Sequence, residues 1–251
     1  MPATVNEFTL NPTWTHIAFI SWIKNAMSTT GMLFLSQFED DSTDTHLIYE
    51  FTSPNFPSNY LDVYLDGNIL GYTIYDDWDT ESNTGNIAKA GNSVTISPAN
   101  TINATAFNAG ENARVLSVQE GTNSLEFINL GFFGIDYLDT NKHLYPKGIV
   151  WDEDVTFYSS NFSPSNDNRF ININYGNTFF GKTNVFSGGI DIITSPPIIA
   201  AGEQCIVGYL NDDVCVGGFE DIPKNTKINH PSGTFQVVQG NKSPGLAIRI
   251  L

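Results

Sequence analysis

Short runs in which apolar and polar residues alternate occur along most of the chain, and clusters of Gly, Pro, Asn and Asp separate them. The clearest run covers residues 61–75, where alternation precedes and follows Asp66-Gly67. This pattern predicts a β-hairpin, because a tight turn needs a residue that accepts a positive φ.

A second hairpin is predicted over residues 114–130, with Gly121-Thr122-Asn123 as its connection. Turn signals recur about every 8–12 residues, which is typical of sandwiches and jelly rolls. We therefore expect an all-β, sandwich or jelly-roll-like fold with little helix. The apolar residues expected to face inward in the second hairpin are Leu116, Val118, Leu125 and Phe127.

Residues 16–27 are ambiguous. Ile17, Ile20 and Ile23 recur at three-residue spacing, as in a helix, but the segment also reads as a buried strand through Phe19 and Trp22. Short apolar runs cannot be assigned by period alone. We favour a strand.

Composition leaves the number of domains open. The 251 residues are 41% apolar, which is ample for a core, and only 15% charged. Residues 76–112 are rich in small polar residues and offer a boundary. We expect an acidic β domain at residues 1–90 and a β-sandwich at 91–251, or one large domain.

Charge is distributed unevenly. Residues 1–88 contain Lys24 and twelve acids, which gives −11, whereas the residues after Asp221 contain four bases and no acid. Such polarity suits docking of copies through complementary potentials. The alternative is that these bases face solvent or pair within the subunit. The four bases are Lys224, Lys227, Lys242 and Arg249.

A net charge of −16 argues against nucleic acid as a partner, because phosphate binding needs clustered Lys and Arg. No apolar run is long enough to predict membrane insertion. The first residues lack a basic flank before an apolar stretch, and Glu7 falls where a signal should be apolar. We therefore expect no signal peptide.

The acidic segment at residues 76–83 supplies oxygen ligands at alternate positions, Asp77, Asp79 and Glu81, which makes a calcium site conceivable. EF-hand spacing fails, because Ser82 stands where that loop needs Gly. The alternative interpretation is a solvated turn. We expect no cofactor other than this possible calcium ion.

Trp78 lies among these acids. An aromatic ring beside Asp77 and Asn83 could bind a neutral sugar by stacking and hydrogen bonds. The alternative is that Trp78 closes the edge of a core. Trp151 has similar neighbours, but Ile149 and Val155 bracket it on a predicted strand, so we expect it in the core.

No catalytic pattern stands out. The four histidines are scattered, and neither a nucleophile elbow nor a phosphate-binding loop occurs. Asp136 and Asp191 each follow Gly-Ile in apolar surroundings, where a buried carboxylate would have a raised pKa. The commoner explanation of both is an outward strand residue or a turn partner. We expect a protein that is not an enzyme.

Cys205 and Cys215 flank a predicted hairpin tip at residues 210–213, and their sulfurs would be out of register for a disulfide. Two buried free thiols are expected, as in a reducing compartment.

The opening TLNPTWTHIA (residues 9–18) resembles the starts of small β-domains in bacteriophage tail and decoration proteins, and the closing LAIRIL (residues 246–251) resembles strands of virion fibre and capsid proteins. This resemblance implies a structural protein of the virion that is assembled in the host cytoplasm. Its partners would be copies of itself, other virion proteins and a surface glycan. Jelly-roll lectins are similar in style.

Three functions follow as hypotheses. The first is a non-catalytic virion protein that acts by self-association. The second is a carbohydrate-binding β-sandwich that uses Trp78, with or without calcium. The third is a glycoside hydrolase, which would need paired carboxylates in a cleft.

Overall fold

The computed structural model describes residues 1–40, 44–54, 56–121, 127–138, 148–149, 171–172, 192–195, 197–200, 205–219, 221–240 and 242–251. These residues form strands in antiparallel sheets and one short helix. The predicted all-β, sandwich-like fold class is thereby confirmed.

The helix and the strands have the following bounds: α1 (His16–Ser28), β1 (Thr4–Leu10), β2 (Leu33–Asp40), β3 (Asp44–Phe51), β4 (Asn59–Asp66), β5 (Ile69–Tyr75), β6 (Ile87–Thr95), β7 (Ile102–Asn108), β8 (Ala113–Glu120), β9 (Phe127–Tyr137), β10 (Gly148–Ile149), β11 (Ile171–Asn172), β12 (Ile192–Thr194), β13 (Pro197–Ala200), β14 (Cys205–Leu210), β15 (Val214–Phe219), β16 (Lys227–His230), β17 (Gly233–Gln239) and β18 (Lys242–Arg249).

Three sheets form the body. The central sheet has the order β1-β7-β8-β9-β14-β13-β11, with β10 also paired to β9. The N-terminal sheet is β2-β3-β4-β5-β6, and the C-terminal sheet is β12-β15-β18-β17-β16. Successive side chains of a strand point to opposite faces of its sheet. A strand with apolar residues at successive positions can therefore be covered by other layers on both faces.

The central sheet is covered in this way. Leu116 and Val118 of β8 pack in a core shared with α1 and the N-terminal sheet, whereas Val115 packs with Val216 and Leu246 of the C-terminal sheet. The central sheet is therefore the middle layer of three. A further apolar cluster that includes Phe219 and Phe235 lies on the C-terminal sheet.

The preference for a strand at residues 16–27 was wrong, because this segment is helix α1. The Thr15 side chain accepts a hydrogen bond from the Ala18 amide at 3.2 Å, which caps the first turn. Phe19, Ile23 and Met27 recur at four-residue spacing and are fully buried against the sheets. The local pattern fits both states, and packing on two sheets selects the helix.

The hairpin at residues 61–75 is confirmed as β4 and β5. The register pairs Asp66 with Ile69, so the two turn residues are Gly67 and Asn68 rather than Asp66 and Gly67. Gly67 takes a φ of +54°, which a residue without a side chain adopts freely.

The second hairpin is confirmed as β8 and β9, and Leu116 and Val118 are buried. Their partners across the strands are Leu130 and Ile128. Leu125, part of the predicted connection and the side chain of Phe127 lie outside what the structure describes.

The predicted hairpin between Cys205 and Cys215 is wrong. Strand β14 pairs with β9 and β13 in the central sheet, whereas β15 pairs with β12 and β18 in the C-terminal sheet. The chain therefore crosses between layers at residues 211–213. Cys215 is a buried free thiol as expected, and burial raises its pKa.

Residues before and after position 90 belong to the same sheet and the same apolar core. Strand β1 pairs with β7, and the largest core cluster joins Leu61 of β4 to Leu116 of β8. Residues on both sides of the predicted boundary therefore contribute to one core, and the division at residues 1–90 and 91–251, with one large domain as its alternative, stays a prediction.

Candidate functional site

The middle layer presents two adjacent rows of polar side chains on the face turned to the C-terminal sheet. Cross-strand pairing aligns Glu7, Thr105, Ser117 and Asn129 in one row. The next row contains Thr9, Asn103 and Gln119. Elsewhere on the same face, side chains such as Val115 are apolar and pack on the C-terminal sheet. The interface between the middle layer and the C-terminal sheet is therefore apolar around Val115 and polar at these two rows.

The segment between β15 and β16 lies over these rows. Lys224 donates a hydrogen bond from Nζ to the Ser117 carbonyl at 3.0 Å. The Asn225 side-chain oxygen accepts from Thr105 Oγ1 at 3.2 Å and from Gln236 Nε2 at 3.3 Å. These bonds hold the segment to both layers without filling the space beside them.

That space is a cavity of about 320 Å³, which we call the Lys224 cavity. Ligand pockets commonly begin at about 300 Å³. Side chains that line it include Glu7, Asn103, Gln119, Lys224 and Asn225. A neighbouring groove of about 550 Å³ shares Glu7 with it and contains Lys227 and Gln236.

Burial controls the charge of Lys224. Desolvation disfavours the ammonium form and lowers the pKa of Lys224 to about 7. The ion pairs among the described residues involve Asp213 with Arg249, Asp213 with the Met1 amine, and His46 with Asp62. Lys224 is in none of them, and the contact that the structure describes for its amine is with a neutral carbonyl.

Trp78, the centre of the predicted sugar site, is half-buried on the outer face of the N-terminal sheet. Its ring stacks on Phe38 with centroids 5.9 Å apart and meets Tyr75 edge-on at 5.0 Å. Gly85 makes room, because an added methyl group would lie 3.0 Å from the Trp78 ring. These contacts fit the alternative in which Trp78 closes a small core.

Asp77, Asp79 and Asn83 brace the loop that carries Trp78. The Asp77 carboxylate accepts from the Asn86 amide and side chain, each at 2.6 Å. Asp79 accepts from the Glu81 amide at 2.9 Å and from Ser82 Oγ at 2.8 Å, and these two bonds to Asp79 lower its pKa. Asn83 takes a φ of +52°. Glu81 is exposed.

Within the described part of the chain, no group of three or more His, Cys, Asp or Glu side chains is arranged to hold a metal ion. The carboxylates of Asp77 and Asp79 turn to partners in their own loop. Calcium binding at Asp77, Asp79 and Glu81 stays a prediction, as does sugar binding at Trp78.

Replacing Trp78 by alanine is expected to lower the free energy of unfolding by about 1–2 kcal/mol, because a half-buried ring loses two aromatic contacts. Urea denaturation would measure the loss. Trp78→Phe, which keeps a ring against Phe38, should lose less than half as much. Equal losses in the two variants would contradict the packing role.

One buried pair of ionisable groups lies beneath this loop. His46 Nδ1 is 2.8 Å from Asp62 Oδ2, and the His46 ring stacks on Phe38. Burial alone lowers the pKa of His46, but the hydrogen bond and charge of Asp62 raise it above its usual value. Burial raises the pKa of Asp62. The pair lies under aromatic rings rather than in either cavity described above.

Of the two carboxylates considered for catalysis, the structure describes Asp136. Asp136 is exposed and accepts a hydrogen bond from Asn211 at 3.0 Å, as expected of an outward strand residue. Asp191 and Trp151 lie outside the described residues.

Sequence reasoning missed the Lys224 cavity. Polar residues at alternate positions of β1, β7 and β8 were visible, but nothing local indicated that they align across strands. In the sequence, Lys224 is one of four basic residues after Asp221, and nothing local distinguishes it from the other three.

Comparison with protein-family models gives no match, and comparison with curated proteins finds no similar sequence. No helix among the described residues has the length and apolar character needed to cross a membrane.

Proposed function

We propose that this protein is a non-catalytic structural protein that self-associates in a virion. The observation that carries the proposal is an apolar side chain exposed on each outer strand of the N-terminal sheet. Leu33 on β2 is 53% exposed, and Ile87 on β6 is 63% exposed. Outer strands with exposed apolar residues are templates for pairing with another chain.

The two residues lie at the same level of the sheet. Cross-strand pairing runs from Leu33 through Glu50, Tyr60 and Tyr75 to Ile87. Strands β2 and β6 run in the same direction, since each successive pair is antiparallel. Joining β6 of one copy to β2 of the next would therefore bring Ile87 beside Leu33. Such a contact is head-to-tail and can continue into a filament or ring.

Charge plays a different part from the one suggested by the sequence. Lys24, the one basic residue in residues 1–88, donates to Gln37 and lies over the Phe34 ring. At one end of the N-terminal sheet, Asp40, Asp44 and Asp66 face each other across strands, and the hydrogen bond and charge of Asp44 raise the pKa of Asp66. Acidic copies repel each other until salt screens them.

The basic end is weaker than its residue count suggests. Arg249 forms an ion pair with Asp213 at 2.5 Å, and Lys224 turns inward to Ser117. This pairing within the subunit was the alternative left open by the sequence. We therefore assign the main contact to strand edges and a lesser one to charge.

The assignment to a virion rests on the resemblance to bacteriophage tail, fibre and capsid-associated proteins. Neighbouring copies and other virion proteins are the proposed partners, and the host cytoplasm is the proposed place of assembly.

Light scattering over a concentration series at low and high salt tests the proposal. We expect association that strengthens with salt, because screening relieves the repulsion of chains that each carry −16. Leu33→Lys or Ile87→Lys should weaken it about 10- to 100-fold, the value of one buried aliphatic side chain.

Leu251→Lys is the matched control, because Leu251 is 75% exposed and is hydrogen-bonded to Thr234 in the C-terminal sheet, whereas both edges belong to the N-terminal sheet. It should leave association unchanged. A monomer at every salt and concentration would refute self-association. Association that weakens with salt and ignores Leu33 and Ile87 would assign the contact to charge instead.

A further inference from the structure

Two kinds of polar group line the Lys224 cavity, side-chain amides and the amine of Lys224, and one kind of ligand could bind both. Asn103 and Asn225 both line the cavity. Asn103 accepts from Thr9 Oγ1 at 3.1 Å and donates to the Gly121 carbonyl at 3.3 Å, and the Asn225 oxygen accepts from Thr105 and Gln236. These bonds leave N–H groups of both amides for a ligand. A hydroxyl group also donates and accepts, so several amides around a small space suit a ligand with several hydroxyls. At about 320 Å³ the cavity is at the small end of ligand pockets.

The second feature is the amine at the cavity wall. Lys224 has three donor protons when charged, and its described bond to the Ser117 carbonyl uses one of them. That carbonyl carries no charge to balance an ammonium ion. A carboxylate brought by a ligand would supply the missing charge and a strong hydrogen bond at once.

We propose that the Lys224 cavity binds a small polyhydroxylated carboxylate, of which an acidic monosaccharide is the representative, with its carboxylate on Lys224 and its hydroxyls on the surrounding amides. This site is independent of the strand edges that carry the proposed self-association.

The groups facing Lys224 decide how binding depends on pH. Strand β1 contributes Glu7, β7 contributes Asn103 and Thr105, and β8 contributes Ser117 and Gln119. Among these Glu7 is the ionisable one, and it is exposed at the rim between the cavity and the neighbouring groove. A carboxylate there accepts hydrogen bonds from hydroxyls and repels a second carboxylate. The ligand is therefore oriented with its acid towards Lys224.

Binding should be coupled to a proton. With a pKa of about 7, roughly nine-tenths of the free protein carries the Lys224 proton at pH 6 and one-tenth at pH 8. The bound carboxylate favours the charged amine, so the complex retains the proton at both pH values. Affinity should fall about tenfold from pH 6 to pH 8, with uptake of about one proton at pH 8.

Titration calorimetry with three probes tests this inference. D-glucuronate should bind, whereas D-glucose, which lacks the carboxylate, and acetate, which lacks the hydroxyls, should each bind at least about tenfold more weakly. Buffers of different ionisation enthalpy report the proton taken up. Absence of glucuronate binding, equal binding of glucose, or affinity that does not change with pH would each overturn the proposal.

Two variants locate the site. Lys224→Met should abolish glucuronate binding, whereas Lys227→Met, which alters the neighbouring groove, should change affinity less than twofold. Binding that survives Lys224→Met would overturn the assignment.

A measurement on the unaltered protein covers the case in which Lys224→Met does not fold. Reductive methylation at pH 7.5, read by peptide mass spectrometry, should modify Lys224 readily because much of its amine is neutral. Glucuronate should protect Lys224 and glucose should not. Equal protection by both sugars would contradict a carboxylate contact.

Discussion

Replacing Lys224 by methionine is expected to raise the free energy of unfolding at pH 6 by about 2–4 kcal/mol. Burial lowers the pKa of Lys224 from 10.5 to about 7, and each unit corresponds to about 1.4 kcal/mol against the charged form. Methionine fills similar space without a charge. The loss of the hydrogen bond to Ser117 offsets about 1 kcal/mol of the gain.

The gain should depend on pH in a defined direction. Between the folded pKa near 7 and the unfolded pKa of 10.5, the unfolded chain holds the Lys224 proton more strongly, so the wild-type protein gains stability as pH rises. The difference between Lys224→Met and wild type is therefore largest below pH 7 and fades towards pH 10.5.

Urea denaturation of both proteins at pH 6 and pH 9.5 measures this difference. Lys227→Met is the control, since Lys227 is exposed, and it should lie within about 0.5 kcal/mol of wild type at both pH values. A Lys224→Met variant that is less stable than wild type at pH 6 would show that the buried ammonium is well accommodated in the fold.

Asp213→Asn is expected to lower the free energy of unfolding by about 3–5 kcal/mol, the usual loss when one partner of a buried ion pair is removed. The Asp213 side chain is fully buried and forms an ion pair with Arg249. It also accepts from Asn112 Nδ2 and the Met1 amine, each at 2.7 Å. Its loss leaves the largely buried Arg249 without its partner.

Acid should reproduce part of this effect. Burial alone would raise the pKa of Asp213, but the hydrogen bonds from the Met1 amine and Asn112 and the charge of Arg249 lower it below its usual value. The stabilisation is therefore complete above the unfolded pKa near 3.8 and is lost as pH falls through the lower folded pKa. Wild type should lose this increment on acidification, and Asp213→Asn should not.

A double-mutant cycle distinguishes the ion pair from a general disturbance. If Arg249→Met is made in the Asp213→Asn background, the two losses should be strongly non-additive. Asp212→Asn, at the exposed neighbouring position, should lose less than about 1 kcal/mol. Additive losses from Asp213 and Arg249 would contradict the pairing.

Local sequence signals were sufficient to predict a hairpin whose strands each have one apolar face and are joined by a short turn. The hairpin of β4 and β5 shows this, because alternation fixes its faces and Gly67 supplies the turn. The same signals failed for α1, whose apolar spacing satisfies both a helix and a buried strand until Phe19 and Ile23 have sheets to pack on.

These local signals could not predict which strands pair when the strands are far apart in the sequence. Cys205 and Cys215 are close in sequence, yet β14 pairs with β9 in the central sheet and β15 pairs with β18 in the C-terminal sheet. Trp78 illustrates a similar limit, since its neighbours in the sequence leave an exposed ring and a core-edge ring both open, whereas its stacking on Phe38 depends on another strand.

The sequence by itself determined an acidic, strand-rich protein with turns at glycine, since alternation and backbone freedom are properties of neighbouring residues. Only the tertiary structure decided the three layers, the buried Asp213 ion pair and the polar rows beneath Lys224. The bonds that hold Lys224 and Asn225 over the polar rows join residues more than a hundred positions apart. The energies of all these features depend on burial, which no local pattern contains.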